Sequence, residues 1–328
     1  EPIILSRGLP IKGSINRIRS MNGYPVVAAW NESGRVQIYN VANPLREIQE
    51  IELITQNKSK FVRESKDFTL ISQFKSQNEG FGLDWSSLEI GHLLSGCCGG
   101  LVKLYTPDSE YCSSFKEEGK PWTYHLDSVE DIQWAPNDVN GFATCSVDGT
   151  VQIVDKRQAD KSKSAIVIQA HEVDVNVISW NSIKPNLIAS GDDLGQFKVW
   201  DIRYPGEDPI SFVHWHESAI TSIEWDKNDE WTLAVSSADN RLSVWDFSVE
   251  EDDQAGSSGL EKQIPSQMIF LHQGQDEIKE LRWHPSLVNT MMTTAANGFN
   301  IFQPGINQEE SLDDSLEEEK LELIPDQI

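Results

Sequence analysis

The feature that most restricts what this chain can fold into is a coincidence of spacing. His125, His171 and His216 are 46 and 45 residues apart. Trp134, Trp180 and Trp225 repeat the same two intervals, and so do Asp155, Asp201 and Asp246. Three kinds of marker sharing one period define a single recurring structural unit, and repeats of this length belong to stacked or radial architectures. Each copy alternates apolar and polar residues in short runs broken by turn pairs such as Asp148-Gly149 and Asn297-Gly298. That is the pattern of short strands joined by tight turns. Several such strands in one copy make a blade of a β-propeller.

Weaker copies flank the three strong ones. Residues 81–107 place Trp85 in the marker position, 272–304 place Trp283 there, and 15–41 keep only their second half. With Trp200-Asp201 and Trp245-Asp246 as the signature dipeptide, the copies resemble WD40 repeats. The expected fold is all-β, a WD40 β-propeller over 1–306 with six visible repeats. Seven blades are expected when a missing amino-terminal region is counted, because a ring left open exposes two sheet edges. The resemblance also implies buried relays within blades: His171, Asp193 and Trp200 in one, and His216, Ser237, Asp239 and Trp245 in another. A third, with His125, Ser146 and Asp148, is expected to be truncated because Val154 replaces the tryptophan. These residues are scaffold, not a catalytic triad.

Departures from the repeat are where function is sought. Residues 42–80 read as an inter-blade insertion, locally basic through Lys58, Lys60, Arg63 and Lys66. Residues 249–263 read as an acidic loop between two blades, with Glu250, Glu251, Asp252 and Asp253. Residues 307–328 form an acidic tail carrying Glu309, Glu310, Asp313, Asp314, Glu317, Glu318, Glu319, Glu322 and Asp326 against a single Lys320.

Charge narrows the partner. The chain has 27 Lys+Arg against 52 Asp+Glu, and 17 of those acids with 4 of those bases fall from residue 249 onward. Such a chain repels phosphate backbones, so direct duplex DNA binding is excluded and a basic protein client is favoured. Nine carboxylates in the 22-residue tail imitate a nucleic-acid backbone. No apolar run reaches the ~18 residues that span a bilayer, so no membrane partner is expected. Cys97, Cys98, Cys112 and Cys145 lack framework spacing and read as reduced thiols. There is no phosphate loop, no H-E-x-x-H, no zinc-ligand spacing and no nucleophile–base pair. The chain reads as a non-enzyme with no catalytic residues, metal or cofactor.

Residues 264–302 and 16–41 are similar to the glutamate-rich WD repeat family, which is related to the retinoblastoma-associated histone-binding WD40 branch. The resemblance implies a ribosome assembly factor of the nucleus and nucleolus, with the cytoplasm as a further site. It would chaperone a basic large-subunit ribosomal protein, the one called L three, until that client joins the pre-60S particle. Two alternatives stand beside it. One is a histone-binding chromatin subunit. The other is a cullin ubiquitin-ligase substrate receptor, suggested by the W-D-x-R match at Trp200-Asp201-Ile202-Arg203. Contact residues are expected at exposed strand starts on one face: Trp30, Glu32, Trp85, Glu130, Asp174, Asn176, Glu217 and Thr221. The acidic loop and tail would join them.

Overall fold

A computed structural model describes residues 6–8, 10–54, 62–64, 68–109, 112–206, 208–250 and 264–304. Among them, five four-stranded sheets and one three-stranded sheet follow one another along the chain. Strands are lettered a to d from the inside of each blade outward. The first blade is Ile15–Ser20, Val26–Asn31, Arg35–Asn40 and Thr69–Lys75. The second is Gly82–Trp85, Leu93–Gly96, Val102–Pro107 and Phe115–Trp122. The third is Val129–Trp134, Gly141–Ser146, Thr150–Asp155 and Ile166–Gln169. The fourth is Val175–Trp180, Leu187–Asp192, Gln196–Asp201 and Ser211–His214. The fifth is Ile220–Trp225, Thr232–Ser237, Arg241–Asp246 and Met268–Gln273. The sixth has Glu280–Trp283, Met291–Ala295 and Gly298–Phe302. This is a six-bladed β-propeller, as the repeat required. A seventh blade is not among the described residues.

Burial explains the composition of the strands. In blades three, four and five every residue of strand b is buried, because each sheet is packed on both faces by its neighbours. Such strands carry mostly apolar or small residues on both sides, as Phe142, Ala143, Ile188, Ala189, Leu233 and Ala234 do. The outer strands Ile166–Gln169 and Ser211–His214 alternate exposed and buried residues, as edges facing water do.

The marker tryptophans at the end of strand a lock successive blades together. The Trp134 backbone N–H donates to Asp84 Oδ2 at 2.8 Å and its indole N–H to the Asp84 carbonyl at 3.2 Å. Trp225 makes the same pair of bonds to Ser179 Oγ and carbonyl, and Trp283 to Glu224 Oε2 and carbonyl. The Trp180 N–H reaches Gln133 Oε1, and the Trp85 indole reaches the Arg19 carbonyl. Each acceptor sits one residue before its own blade's marker position, so every blade presents one grip to the next. The first and sixth blades meet through Arg19 and Glu280 at 2.7 Å. Burial works to raise the Glu280 carboxyl, but Arg19, Arg282 and Arg17 outweigh it and hold it at about 2.

Two expected boundaries move. Thr69–Lys75 pairs with Arg35–Asn40, so the 42–80 insertion lies within the first blade and ends in its outer strand. It contains the helix Ala42–Ile54, while Lys58, Lys60 and Lys66 lie outside the described residues. Likewise Met268–Gln273 pairs with Arg241–Asp246, which places the acidic 249–263 loop inside the fifth blade rather than between two blades. The physical reason is common to both: an outer strand needs only one partner, so a long excursion before it leaves the blade intact. In the sixth blade the outermost strand, Gly298–Phe302, has no partner on its other edge among the described residues, and Ile301 is 61% exposed there.

Candidate functional site

Buried relays set the shape of the loops at one end of the ring. In the fourth blade His171 Nδ1 lies 2.9 Å from Asp192 Oδ2, and Nε2 lies 2.8 Å from Ser190 Oγ. The Trp200 indole donates to that same hydroxyl at 2.9 Å. The order is consistent with one assignment of protons: Trp200 N–H to Ser190, Ser190 O–H to His171, His171 N–H to the carboxylate. Asp192 Oδ1 also accepts from the backbone N–H groups of Leu194 and Gln196, fixing the b–c turn. Burial works to raise the Asp192 carboxyl, but the His171 and turn hydrogen bonds outweigh it and hold it below the usual range.

This corrects the expected relay, because the neighbouring Asp193 is exposed and Asp192 is the member. In the fifth blade His216 Nδ1 meets Asp239 at 3.0 Å, and Ser243, not Ser237, bridges His216 Nε2 and the Trp245 indole. Ser237 instead donates to the Ser218 carbonyl. In the third blade Thr144 takes the hydroxyl position, 2.8 Å from His125 Nε2, and Tyr124 OH lies 3.0 Å beyond it. Tyr124 thus ends the relay that the missing tryptophan was expected to truncate. Ser146 donates outside it, to the Asp127 carbonyl.

The starts of strands a and c and the ends of b and d share one end of each blade, here called upper, as the pairings Val129↔Ser146 and Thr150↔Gln169 require. The links and turns held there by the relays carry acids. Exposed Glu32, Glu79, Asp127, Glu172, Asp193, Glu217, Asp276 and Glu277 all lie in them. Glu130 and Asp174 sit half-buried beside each other at strand starts. Burial raises the Glu130 carboxyl, with Asp174 and Asp131 adding to that and Ser128 and Arg17 opposing it. Some acids are already paired, such as Glu217 with Arg241 at 3.3 Å.

The expected contact residues divide. Glu32 and Glu217 are exposed at the upper end, and Glu130, Asp174, Asn176 and Thr221 are half-buried there. Asn176 Nδ2 reaches Asp193 at 3.4 Å, and the Thr221 hydroxyl bonds Ser236 at 3.0 Å. Trp30 and Trp85 were expected to be exposed and are not, at 1% and 6%. Trp85 is an inter-blade grip. Trp30 occupies the strand-b register where later blades carry Gly96, Cys145 and Gly191, and it fills that space against Gly80, where even a Cβ would collide with its ring. Glu250 is exposed, whereas Glu251, Asp252, Asp253 and the tail acids Glu309, Glu310, Asp313, Asp314, Glu317, Glu318 and Glu319 lie outside the described residues. Sequence reasoning missed the exposed Glu79, Asp127, Glu172, Asp193, Asp276 and Glu277; their signal was position, each falling in a link or turn at the upper end.

Arg203 donates through Nε to Asp201 at 2.9 Å and holds that carboxyl down to about 2. Arg157 closes the matching turn on Asp155. Among the described residues no group of three or more His, Cys, Asp or Glu is arranged to hold a metal ion, and no helix is long and apolar enough to cross a membrane.

The family model described as "WD domain, G-beta repeat" matches residues 118–155 and 207–246. This chain is a WD40-repeat protein. The ribosome assembly protein rrb1 of Schizosaccharomyces pombe is 36% identical over 92% of this chain. The glutamate-rich WD repeat-containing protein 1 of Dictyostelium discoideum is 39% identical over 90% of it. The WD40 chain spans 64% and 60% of the lengths of these two relatives. A more distant relative, at 26% identity over 92% of the chain, is the histone acetyltransferase type B subunit 2 of Candida glabrata.

Proposed function

We infer that this WD40 propeller is a non-enzymatic scaffold of ribosome assembly that holds a basic client against its upper end. The observation that carries the reading is the run of carboxylates around that end, contributed by links and turns from the first blade to the sixth, those of blades three to five anchored by buried relays. Fixed acids on a rigid ring attract a cationic surface at raised on-rates and with strong salt dependence. The similarity to a ribosome assembly protein supports the same reading. The client is the basic large-subunit protein called L three, and the acidic loop and tail cover its rRNA-binding surface until rRNA displaces them. Nuclear and nucleolar location follows from that role.

The test is affinity capture of the full-length protein from extract at moderate salt, with mass spectrometry of what is bound. Near-stoichiometric recovery of one basic ribosomal protein is expected, and it should fall when Glu217 and Asp174 are both changed to Lys. Core histones in its place would favour the reading supported by the distant histone-modifying relative. Recovery of a ligase adaptor, lost on Arg203→Ala, would point to the substrate-receptor alternative.

A further inference from the structure

Between the second and third blades the propeller carries a site of opposite charge to its upper end. A cavity of about 520 Å³ there is lined by Leu104, Pro107 and Trp122 of the second blade and by Lys156, Arg157 and Lys161 of the third, together with Lys120, His92 and Glu118, whose carboxylate lies 3.9 Å from Lys116. In a protein of net charge −25 this is a concentration of cations. Two of them are already engaged, Lys156 with Glu89 and Arg157 with Asp155. Lys120 and Lys161 have no ion pair among the described residues. Lys161 is instead held over the Trp122 ring, 4.2 Å from its centroid, and donates to the Lys156 carbonyl. Burial lowers its pKa, with Asp155 opposing that, so an added carboxylate would stabilise its charge.

The second observation concerns Trp122 itself. It is 2% exposed, and its indole N–H has no hydrogen-bond partner. The same holds for Nδ1 of His92 on the same cavity. Buried donors without partners are rare and costly. The register shows that the fold does not require one here. Trp122 pairs with Val102, and the matching positions in the third and fourth blades are Ile168 and Val213, which bring no polar group. Two lysines without an ion pair among the described residues, the Trp122 ring and an apolar wall of Leu104 and Pro107 together fit a carboxylate flanked by an aliphatic side chain.

We propose that this cavity binds an acidic, leucine-bearing peptide segment, and that the chain's own residues 309–319 supply it. That stretch sets Leu312 and Leu316 among seven carboxylates. A separate anion, whether peptide or RNA, meets the repulsion of the whole acidic molecule, whereas a tethered one starts at an effective concentration near the millimolar range. The twelve peptide steps from Pro304 to Leu316 span up to about 40 Å when extended. The inference goes beyond the client reading and concerns the client-free protein, in which the tail is not engaged by a client.

Zero-length carbodiimide crosslinking of the isolated full chain tests it, because that reagent joins a carboxylate to an amine in contact with it. Crosslinks from 309–319 to Lys120 and Lys161 are expected at about tenfold the yield of those to exposed Lys12 or Lys227. Lys161→Gln should lower the yield at Lys120 about fivefold through loss of one cation facing the segment. Lys120→Gln, at an exposed site that does not threaten folding, should redirect the remaining crosslinks to Lys161. Yields that simply follow lysine exposure would overturn the site. Crosslinks found only between isotopically distinct copies in a mixed sample would overturn the assignment to the chain's own segment. Client capture is measured separately, so failure here leaves that reading standing.

Discussion

Replacing Asp192 with Ala, beside the same change at Asp193, separates the relay from its surroundings by one residue. Asp192 accepts from His171 at 2.9 Å, from the Leu194 N–H at 2.9 Å and from the Gln196 N–H at 2.8 Å. Its side chain is 2% exposed, and that of His171 is 0%. Truncation leaves the imidazole N–H buried without an acceptor, which costs about 1–3 kcal/mol. The two turn amides lose about 1 kcal/mol each, less whatever water restores. The sum is about 3–5 kcal/mol, a large share of the roughly 5–15 kcal/mol that holds a domain together. Asp193 makes one long contact, with Asn176 at 3.4 Å, and its loss should stay within about 0.5 kcal/mol. Urea denaturation followed by tryptophan fluorescence reads both variants. Native-state hydrogen exchange over Leu187–Asp192 and Gln196–Asp201 shows whether the loss is local to the fourth blade. The effect also has a pH signature. A carboxyl held below its ordinary pKa contributes stability that is full above the unfolded value near 4 and fades as pH falls through the folded value. The gap between wild type and Asp192→Ala should therefore narrow below about pH 4. Equal losses at the two positions, or less than about 1 kcal/mol at Asp192, would refute the relay as described.

Ser243→Ala should cost about 2–4 kcal/mol, since it strands both the Trp245 indole N–H and His216 Nε2, and thermal unfolding against Ser248→Ala at the exposed turn checks it. Asp84 behaves oppositely to Asp192. Burial raises its carboxyl to about 6 against the Trp134 hydrogen bond and the nearby Arg19 and Arg282, so its contribution is full below about pH 4 and lost as pH rises through 6. Asp84→Asn keeps an acceptor for the Trp134 N–H and should raise stability at pH 7.5 by up to about 3 kcal/mol, a gain that melting curves should show vanishing below about pH 4. Reversing Glu217 and Asp174 to Lys should slow client association several-fold in low salt and change it little in high salt, which stopped-flow mixing at two ionic strengths would show.

How far the sequence could be read depended on what each residue is asked to do. The histidine, tryptophan and aspartate markers were legible because each is fixed at one register of every strong blade. The bridging hydroxyl was not. Ser190 and Thr144 supply it from strand b, but in the fifth blade that position is Val235, and the hydroxyl comes from Ser243 directly across on strand c. Two side chains facing one another across a ladder are interchangeable in space and eight residues apart in sequence. The choice between Asp192 and Asp193 was hidden because blade four draws its carboxylate from the last position of strand b, where blades three and five carry Ser146 and Ser237, while their Asp148 and Asp239 lie two residues later in the turn. Trp30 and Trp85 misled because tryptophan suits both an interface and a core, and only the small residues opposite Trp30 reveal which. Within the upper end, composition announced the acid but not its placement, which depends on the turns that the relays hold.

The inter-blade grips have a direction. In the pairs that join blades two through six, the side-chain acceptor belongs to the earlier blade and the tryptophan to the later one. A chain leaving the ribosome amino-terminus first thus presents a finished docking edge before the segment that uses it has been made. Blades can add one at a time in the order of synthesis, each templated by its predecessor, so that at any moment the uncovered packing faces are those of the first and the newest blade. Built in reverse, the same ring would leave every tryptophan waiting for a partner not yet translated.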